Sequence, residues 1–375
     1  MIYLDYSANT PVDARVLEQF CAVERRCIGN ANSHHQAGSA AKAEIDAATI
    51  KIASLLGVQP AEIIYTSGAS EANNFALKGL ARLSRHAGRH IISTPLEHSS
   101  VSGTLTALQE QGYEIDLLGV KQDGTVDLEH LKDLLRPDTI CVAVTLVDSE
   151  LGVVQPVQEI AAILKAYPHC HLHVDATQAV GKIPVSFEGV DTMSLTAHKF
   201  YGLNGIGLLI KRRNLALEPL IHGGESTTIY RSGTPTVALA SSLACALDLA
   251  VIDLPGHVDH VAKLNAELRA ALSTYPLVHI NSPEHAIPHV LNLSVRNVKG
   301  TVFQRELDAK GVCVSVKSAC SSDGLPSRAV FAVSRDRRNA LSSWRISLSH
   351  LTTEDEIKAF LQAFDVCYRE LTAVH

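Results

Sequence analysis

The chain has 375 residues, 46% hydrophobic and 19% charged, with a formal net charge of −6. Such a chain is expected to be a soluble globular protein with one large and one smaller domain, and it presents no basic field for nucleic acid. No apolar run approaches the roughly 20 residues of a membrane span. The N-terminus enters on Met1-Ile2-Tyr3 with no signal peptide, and the eight cysteines contain no CxxC pair, so neither a zinc site nor a disulfide framework is expected and the cytoplasm is.

Strand and helix alternate along the chain. Helices are predicted over 40–56, 70–85 and 156–167, and short apolar strands over 62–66, 90–93, 140–146 and 171–175. This order predicts an α/β fold, a mostly parallel sheet covered on both faces, with ligands beyond the carboxyl ends of the strands. A boundary is expected near Leu254-Pro255-Gly256, which gives a large domain over 14–255 and a small α+β domain over 256–375. In the small domain, Val258, Val261, Leu264, Leu268 and Leu272 recur at helical spacing, and short strands are predicted over 289–295 and 312–316. A capping box at Thr353 and Glu356 opens a last helix that buries Ile357, Phe360, Leu361 and Phe364. Seven of the eight cysteines are expected to be buried small hydrophobes.

The run Tyr65-Thr66-Ser67-Gly68-Ala69-Ser70-Glu71-Ala72-Asn73-Asn74 reads as strand, tight turn and helix start, an arrangement that offers free N–H groups to an anion. An ordinary cap by Ser67 or Ser70 would read the same way. His98 follows the next strand end; a lone histidine is more often a satisfied structural residue than a catalyst. Asp175 ends an apolar strand, and 24 residues later Lys199 lies in Ser194-Leu195-Thr196-Ala197-His198-Lys199-Phe200-Tyr201-Gly202. Such a pair suits pyridoxal phosphate chemistry: the lysine forms a Schiff base and the acid keeps the pyridinium nitrogen protonated. A helix-capping aspartate and a solvated lysine would account for either residue alone. Cys320 lies in the small polar stretch Ser318-Ala319-Cys320-Ser321-Ser322-Asp323-Gly324, where an exposed cysteine can reach a thiolate state.

HVDATQAVGK (173–182), SLTAHKFYGLNGIG (194–207) and the S-A-C-S run around Cys320 resemble the cysteine desulfurases, within the fold-type I, class V aminotransferase superfamily. The resemblance extends from Tyr3 to Leu348. It implies pyridoxal 5'-phosphate as cofactor, with Lys199 as its covalent anchor and Asp175 beneath the ring nitrogen. Gln178 would bond the phenolic oxygen, His98 would lie face-on to the ring and move protons, and Ala69, Ser70, Thr196 and His198 would hold the phosphate. Asn9, Ser149 and Arg345 would bind the substrate, with Arg345 gripping its carboxylate and Cys320 accepting its sulfur as a persulfide. The implied partners are L-cysteine, a sulfur-acceptor protein and a second copy of the chain: Tyr230-Arg231-Ser232-Gly233-Thr234 resembles a segment by which Thr234 reaches the neighbour's phosphate. Residues 1–13 would join the small domain. Iron–sulfur cluster assembly and tRNA thiolation are among the implied uses, and no metal is expected in the site.

Three departures from the family pattern stand out. Val147-Asp148-Ser149 replaces a pair of asparagines, Glu225-Ser226-Thr227-Thr228-Ile229 replaces a glycine-rich stretch, and Lys317 replaces a small residue ahead of the nucleophile loop. Lys317 would either depress the Cys320 pKa or be a solvated lysine. The chain also ends 30 residues after Arg345, shorter than housekeeping members, which raises the expectation of a dedicated acceptor. Two alternatives remain beside the desulfurase. One is another class V enzyme, an aminotransferase, β-lyase or selenocysteine lyase, that does not need Cys320. The other is a non-catalytic partner in a sulfur-transfer complex.

Overall fold

The computed structural model describes residues 1–317 and 325–373, so Cys320 lies outside the described residues. In chain order the strands are β1 (Ile2–Tyr3), β2 (Ile63–Thr66), β3 (His90–Ser93), β4 (Glu114–Leu117), β5 (Thr139–Thr145) and β6 (His171–Asp175), then β7 (Thr192–Thr196), β8 (Gly207–Lys211), β9 (Val278–Ile280), β10 (Val290–Val295), β11 (Val312–Cys313) and β12 (Ser343–Ser347). Among the described residues, seven of them form one sheet in the order β2-β8-β7-β6-β5-β3-β4. Only β8 runs antiparallel to its neighbours. The carboxyl ends of β2, β3, β5, β6 and β7 therefore share one edge of the sheet, where Thr66, Ser93, Thr145, Asp175 and Thr196 stand.

Every residue of β5 is buried, as expected of a central strand covered on both faces. Its side chains alternate between two cores. Val142 and Val144 pack with the helices Gln36–Leu56 and Val237–Ile252, while Cys141 and Ala143 pack with the helices Ala69–Leu83 and Ser99–Gln109. A further core belongs to β10, β12, the helix Leu254–Leu272 and the last helix, Glu354–Thr372. Trp344 stacks on Phe303 there, with ring centroids 5.1 Å apart, and the Thr353/Glu356 capping box is formed. Leu4 joins this core and β1 pairs with β11, which ties the N-terminus to it.

Several expected bounds shift for local reasons. The first predicted helix begins at Gln36 because the His35 imidazole accepts the Gly38 N–H, and it ends on Gly57 in the left-handed region. Glu62 is not in β2: its carboxylate closes a capping box with Gln59 on a short 3₁₀ turn. The predicted helix over 156–167 covers only Val157–Leu164, and of the strand predicted over 312–316 only Val312 and Cys313 form one, with Ser315 making an isolated bridge to Arg345. Leu254-Pro255-Gly256 is the first turn of a helix rather than a loop, bent 66° from the helix before it. Among the described cysteines, Cys141, Cys170 and Cys367 are buried, but Cys21, Cys27, Cys245 and Cys313 are partly exposed. Cys21 lies on the surface helix Ala14–Arg26, of which only Val16 and Val23 are buried.

Gly207 lets β8 press against the turn after β2. A Cβ there would lie 2.6 Å from the Leu195 carbonyl and 2.7 Å from Gly68 Cα. Gly207→Ala is expected to destabilise the protein by about 1–3 kcal/mol through overpacking. Gly103→Ala, which meets nothing within 4 Å and lies inside a helix, is expected to be neutral or to gain up to ~1 kcal/mol. Urea unfolding of the two variants measures both values.

Candidate active site

A cavity of about 350 Å³ opens at the shared carboxyl edge of the sheet, within the usual size range for small-molecule sites. Of the residues expected to bind cofactor or substrate, Ala69, Ser70, His98, Ser149, Asp175, Gln178, Thr196, His198, Lys199 and Arg345 line it. Asn9 does not. It is exposed and its amide donates to the Thr10 carbonyl, so the neighbouring Ser7 and Ala8 form that wall. Thr234 is exposed and also absent from the lining.

Lys199 ends a 3₁₀ turn that follows β7 directly. Its ammonium donates to the carbonyls of Ser7 and Ala8 at 2.8 and 2.6 Å, which aims it across the cavity at the N-terminal segment. Asp175, at the end of β6, accepts the Thr177 N–H at 2.9 Å and the Asn73 amide at 2.8 Å. Asn73 is held in turn by His173 Nε2 at 3.0 Å and by the Ser194 hydroxyl. Burial pushes the His173 pKa down to about 4, so the ring stays neutral and donates through Nε2 to the Asn73 carbonyl oxygen. The amide is thereby fixed with its NH₂ toward Asp175. Asn73 is a positioning residue that sequence reasoning passed over, although it stands in the quoted turn motif.

The helix Ala69–Leu83 starts on Gly68 with no side-chain cap. Capping by Ser67 or Ser70 is thus ruled out, and the first N–H groups remain available to an anion. Glu71 lies beside them, but its carboxylate accepts the Ser67 N–H at 2.7 Å and pairs with Arg231 at 3.0 Å. Burial alone would raise its pKa, yet these contacts hold it below the ordinary value. Opposite, His198 Nδ1 lies 3.1 Å from the Thr196 hydroxyl. Burial first, and then the charge of Lys199, push the His198 pKa down to about 4, so near neutral pH it meets an anion as an uncharged ring.

His98 caps the helix Ser99–Gln109, its Nδ1 accepting the Ser100 N–H at 3.1 Å. Burial is the main cause lowering its pKa; Asp175 works against this, Lys199 and Arg328 with it. The ring is therefore neutral with its proton on Nε2. Gln178 is buried and held at both ends, Nε2 donating to the Ser7 carbonyl and Oε1 accepting from Lys182, each at 2.9 Å. Lys182 is a second missed residue, one helical turn beyond Gln178 in sequence.

Arg345 is 1% exposed rather than a surface strand residue. It donates to the Ser149 carbonyl at 2.7 Å and pairs with Asp5 at 3.0 Å. Ser149 thus contributes its backbone to the guanidinium, not the side-chain contact an asparagine would make. Arg345 Nε, Ser7 Oγ and Thr177 Oγ1 are buried and without a partner among the described residues. All three residues line the cavity, so a polar, anionic ligand fits the donor set. Lys317 is half-buried and donates to the Leu325 carbonyl at 3.0 Å, bridging the two ends of the 318–324 segment.

Two further buried titratable groups flank the site. Glu97 accepts from the Thr94 hydroxyl at 2.7 Å and the Thr145 N–H at 2.9 Å, and burial pushes its pKa from 4.5 up to about 8. Burial pushes Lys182 from 10.5 down to about 7. Between pH 4.5 and 8 the unfolded Glu97 has released a proton that the folded form keeps, so stability falls as pH rises. Between pH 7 and 10.5 the unfolded Lys182 keeps a proton that the folded form has released, so stability rises with pH. Glu97→Gln is expected to flatten the first slope and Lys182→Met the second, in urea unfolding repeated across pH 5–10. An unchanged profile would show the group titrating normally.

The family model "Aminotransferase class-V" matches residues 2–360. A cysteine desulfurase IscS of Proteus mirabilis (strain HI4320) is 40% identical over 365 residues, which covers 95% of this chain and 90% of that one. A solved NifS-like protein superposes with a TM-score of 0.92 at 36% identity, covering 99% of both chains. A structure described as SspA in complex with cysteine reaches a TM-score of 0.83 at 30% identity, covering 94% of this chain and all of that one.

Proposed function

The chain belongs to the class-V aminotransferase family, and we propose that within it the protein is a pyridoxal 5'-phosphate-dependent cysteine desulfurase. L-cysteine would be converted to L-alanine, and its sulfur passed to Cys320 as a persulfide. The observation that carries this reading is the convergence of Lys199, Asp175 and Arg345 on one cavity with an uncapped helix end.

When bound, pyridoxal 5'-phosphate supplies an electron sink for charge developing at the substrate Cα. The N–H groups of Ala69 and Ser70, with Thr196 and His198, hold its phosphate. Gln178, oriented by Lys182, donates to its phenolic oxygen, and Asp175, oriented by Asn73, holds the proton on its ring nitrogen. Lys199 would anchor it covalently, and its amine would be the group that moves the substrate Cα proton. Arg345 grips the substrate carboxylate through donors that Asp5 and Ser149 leave over. His98 bears its proton on Nε2, so it acts first as a donor and takes a thiol proton only after giving that one up. The Cys320 thiolate then attacks the substrate sulfur; an S–S bond forms as the Cβ–S bond breaks, and alanine leaves.

Thr234, outside its own cavity, is assigned to the phosphate site of the other subunit in a twofold homodimer. The exposed Ile221 and Ile229 of the same segment support a covered face there. A reducing, cytoplasmic setting is supported by the free state of the described cysteines. Onward delivery to an acceptor protein, for iron–sulfur assembly or tRNA thiolation, completes the proposal.

The test is alanine formation from L-cysteine with dithiothreitol as reductant. Cys320→Ala is expected to keep the yellow absorbance of bound cofactor and lose turnover, while Lys199→Ala loses the absorbance too. Full turnover by Cys320→Ala would move the reading to another pyridoxal phosphate lyase or transaminase. Arg345→Lys, which keeps the charge but not the planar fork, is expected to raise KM about 10- to 100-fold, equal to ~1.5–3 kcal/mol of charged hydrogen bonding.

A further inference from the structure

The helix Arg328–Ser334 lies against the cavity wall. Arg328 donates to the Glu97 carbonyl and to the Ser102 hydroxyl, each at 3.2 Å, and the Ser327 hydroxyl donates to Glu150. The inner face of the helix, Ala329 and Val330, packs with Leu96, Leu151 and Val153. Its outer face carries Phe331, 42% exposed, one turn after Arg328 and one turn before Arg335.

The chain then turns through Arg335, in the left-handed region at φ +56°, into the helix Arg337–Ser342. Asp336 offsets one charge of this run, its carboxylate capping that helix by accepting the N–H groups of Arg338 and Asn339, and the cations around it outnumber it. Among the described residues, no carboxylate pairs with Arg328, Arg335, Arg337, Arg338 or Lys299. Lys299, Lys317 and Arg337 share the lining of a depression of about 150 Å³ with Leu325, which is 60% exposed. In a chain of net charge −6, this is a local basic surface set with an aromatic and a leucine.

We propose that this surface docks the sulfur acceptor, a protein whose receiving thiol stands in an acidic surface that also bears an apolar side chain. The inference rests on the desulfurase reading. A positive patch steers an acidic partner and sets orientation, while Phe331 and Leu325 offer the apolar centre that protein interfaces desolvate and phosphate backbones do not. In sequence Cys320 is three residues from Lys317 and five from Leu325, both of which line this surface. In the transfer, the acceptor thiolate attacks the outer sulfur of the Cys320 persulfide. A new S–S bond forms on the acceptor, the old one breaks, and Cys320 leaves as a thiolate, with no net oxidation.

The test loads the holoenzyme with L-cysteine and offers three synthetic peptides, each with one cysteine and one leucine, in glutamate-rich, glutamine-rich and lysine-rich backgrounds. Persulfide on the peptide is read by mass spectrometry. The acidic peptide is expected to be sulfurated at least about tenfold faster than the neutral one at low salt, with the advantage shrinking at about 0.5 M salt. The triple variant Arg335→Glu, Arg337→Glu, Arg338→Glu is expected to favour the lysine-rich peptide while forming alanine with dithiothreitol at the wild-type rate. Replacement of the same three residues by Gln removes the preference without reversing it and serves if the Glu variant misfolds. Equal rates for all three peptides, or an unaltered preference in the variants, would overturn the docking surface. A thiol-bearing RNA oligonucleotide sulfurated faster than the acidic peptide would overturn the protein acceptor. Absence of alanine formation by the wild type with dithiothreitol would instead remove the desulfurase reading itself.

Discussion

A buried guanidinium holds the site together. Arg345 comes from β12, Asp5 from the N-terminal segment and Ser149 from the loop after β5, and the three meet within hydrogen-bond distance. A charge that is 1% exposed is tolerated only where its donors find partners. The N-terminus, the smaller core and the large sheet are therefore brought to one register around Arg345. Ser315 strengthens the tie, its hydroxyl donating to Asp5 at 2.7 Å and its backbone bridging Arg345. The same constraint gives one wall of the cavity its positive end and leaves Arg345 Nε, still unpartnered, among the lining.

The opposite wall is built on neutral hydrogen-bond chains. His173, Asn73 and Asp175 form a relay in which burial keeps the imidazole uncharged, the imidazole fixes the amide, and the amide fixes the carboxylate. Lys182 does the same for Gln178. His173, Asn73 and Lys182 are absent from the cavity lining, whereas Asp175 and Gln178 belong to it, so each relay determines which atom of a lining side chain a ligand meets. Buried networks of this kind serve only when every member is satisfied, and Asn73 lies 100 residues from His173 and 102 from Asp175 in sequence.

How much of this was legible beforehand differs from residue to residue. Asp175 ends the strand predicted over 171–175, so its place at the carboxyl edge could be read from pattern, whereas Lys199 follows β7, whose alternating Thr192-Met193-Ser194-Leu195-Thr196 was not read as a strand. Asn9 could not, because whether a residue or its neighbour faces the cavity depends on how the N-terminal segment crosses Lys199. Asn73 and Lys182 were in plain view within quoted motifs, yet nothing local distinguishes a relay amide or a relay ammonium from a solvated one. The strand expected over 312–316 stopped early because its pairing partner is the two-residue β1. Cys21, expected inside, was drawn partly to the surface by a helix with only one narrow buried face.

Local chemistry in the chain was enough to establish the alternation of strand and helix, the tight turn before Ala69 and the capped last helix, because periodicity, turn preference and capping act over a few residues. Tertiary structure alone decided that Arg345 is buried and paired with Asp5, that Ser149 contributes its carbonyl rather than its hydroxyl, and that His98 carries its proton on Nε2. It also decided that an exposed Phe331 stands between Arg328 and Arg335, which pair with no carboxylate among the described residues. These features depend on burial and on contacts between distant segments, and neither is encoded in the spacing of neighbouring residues.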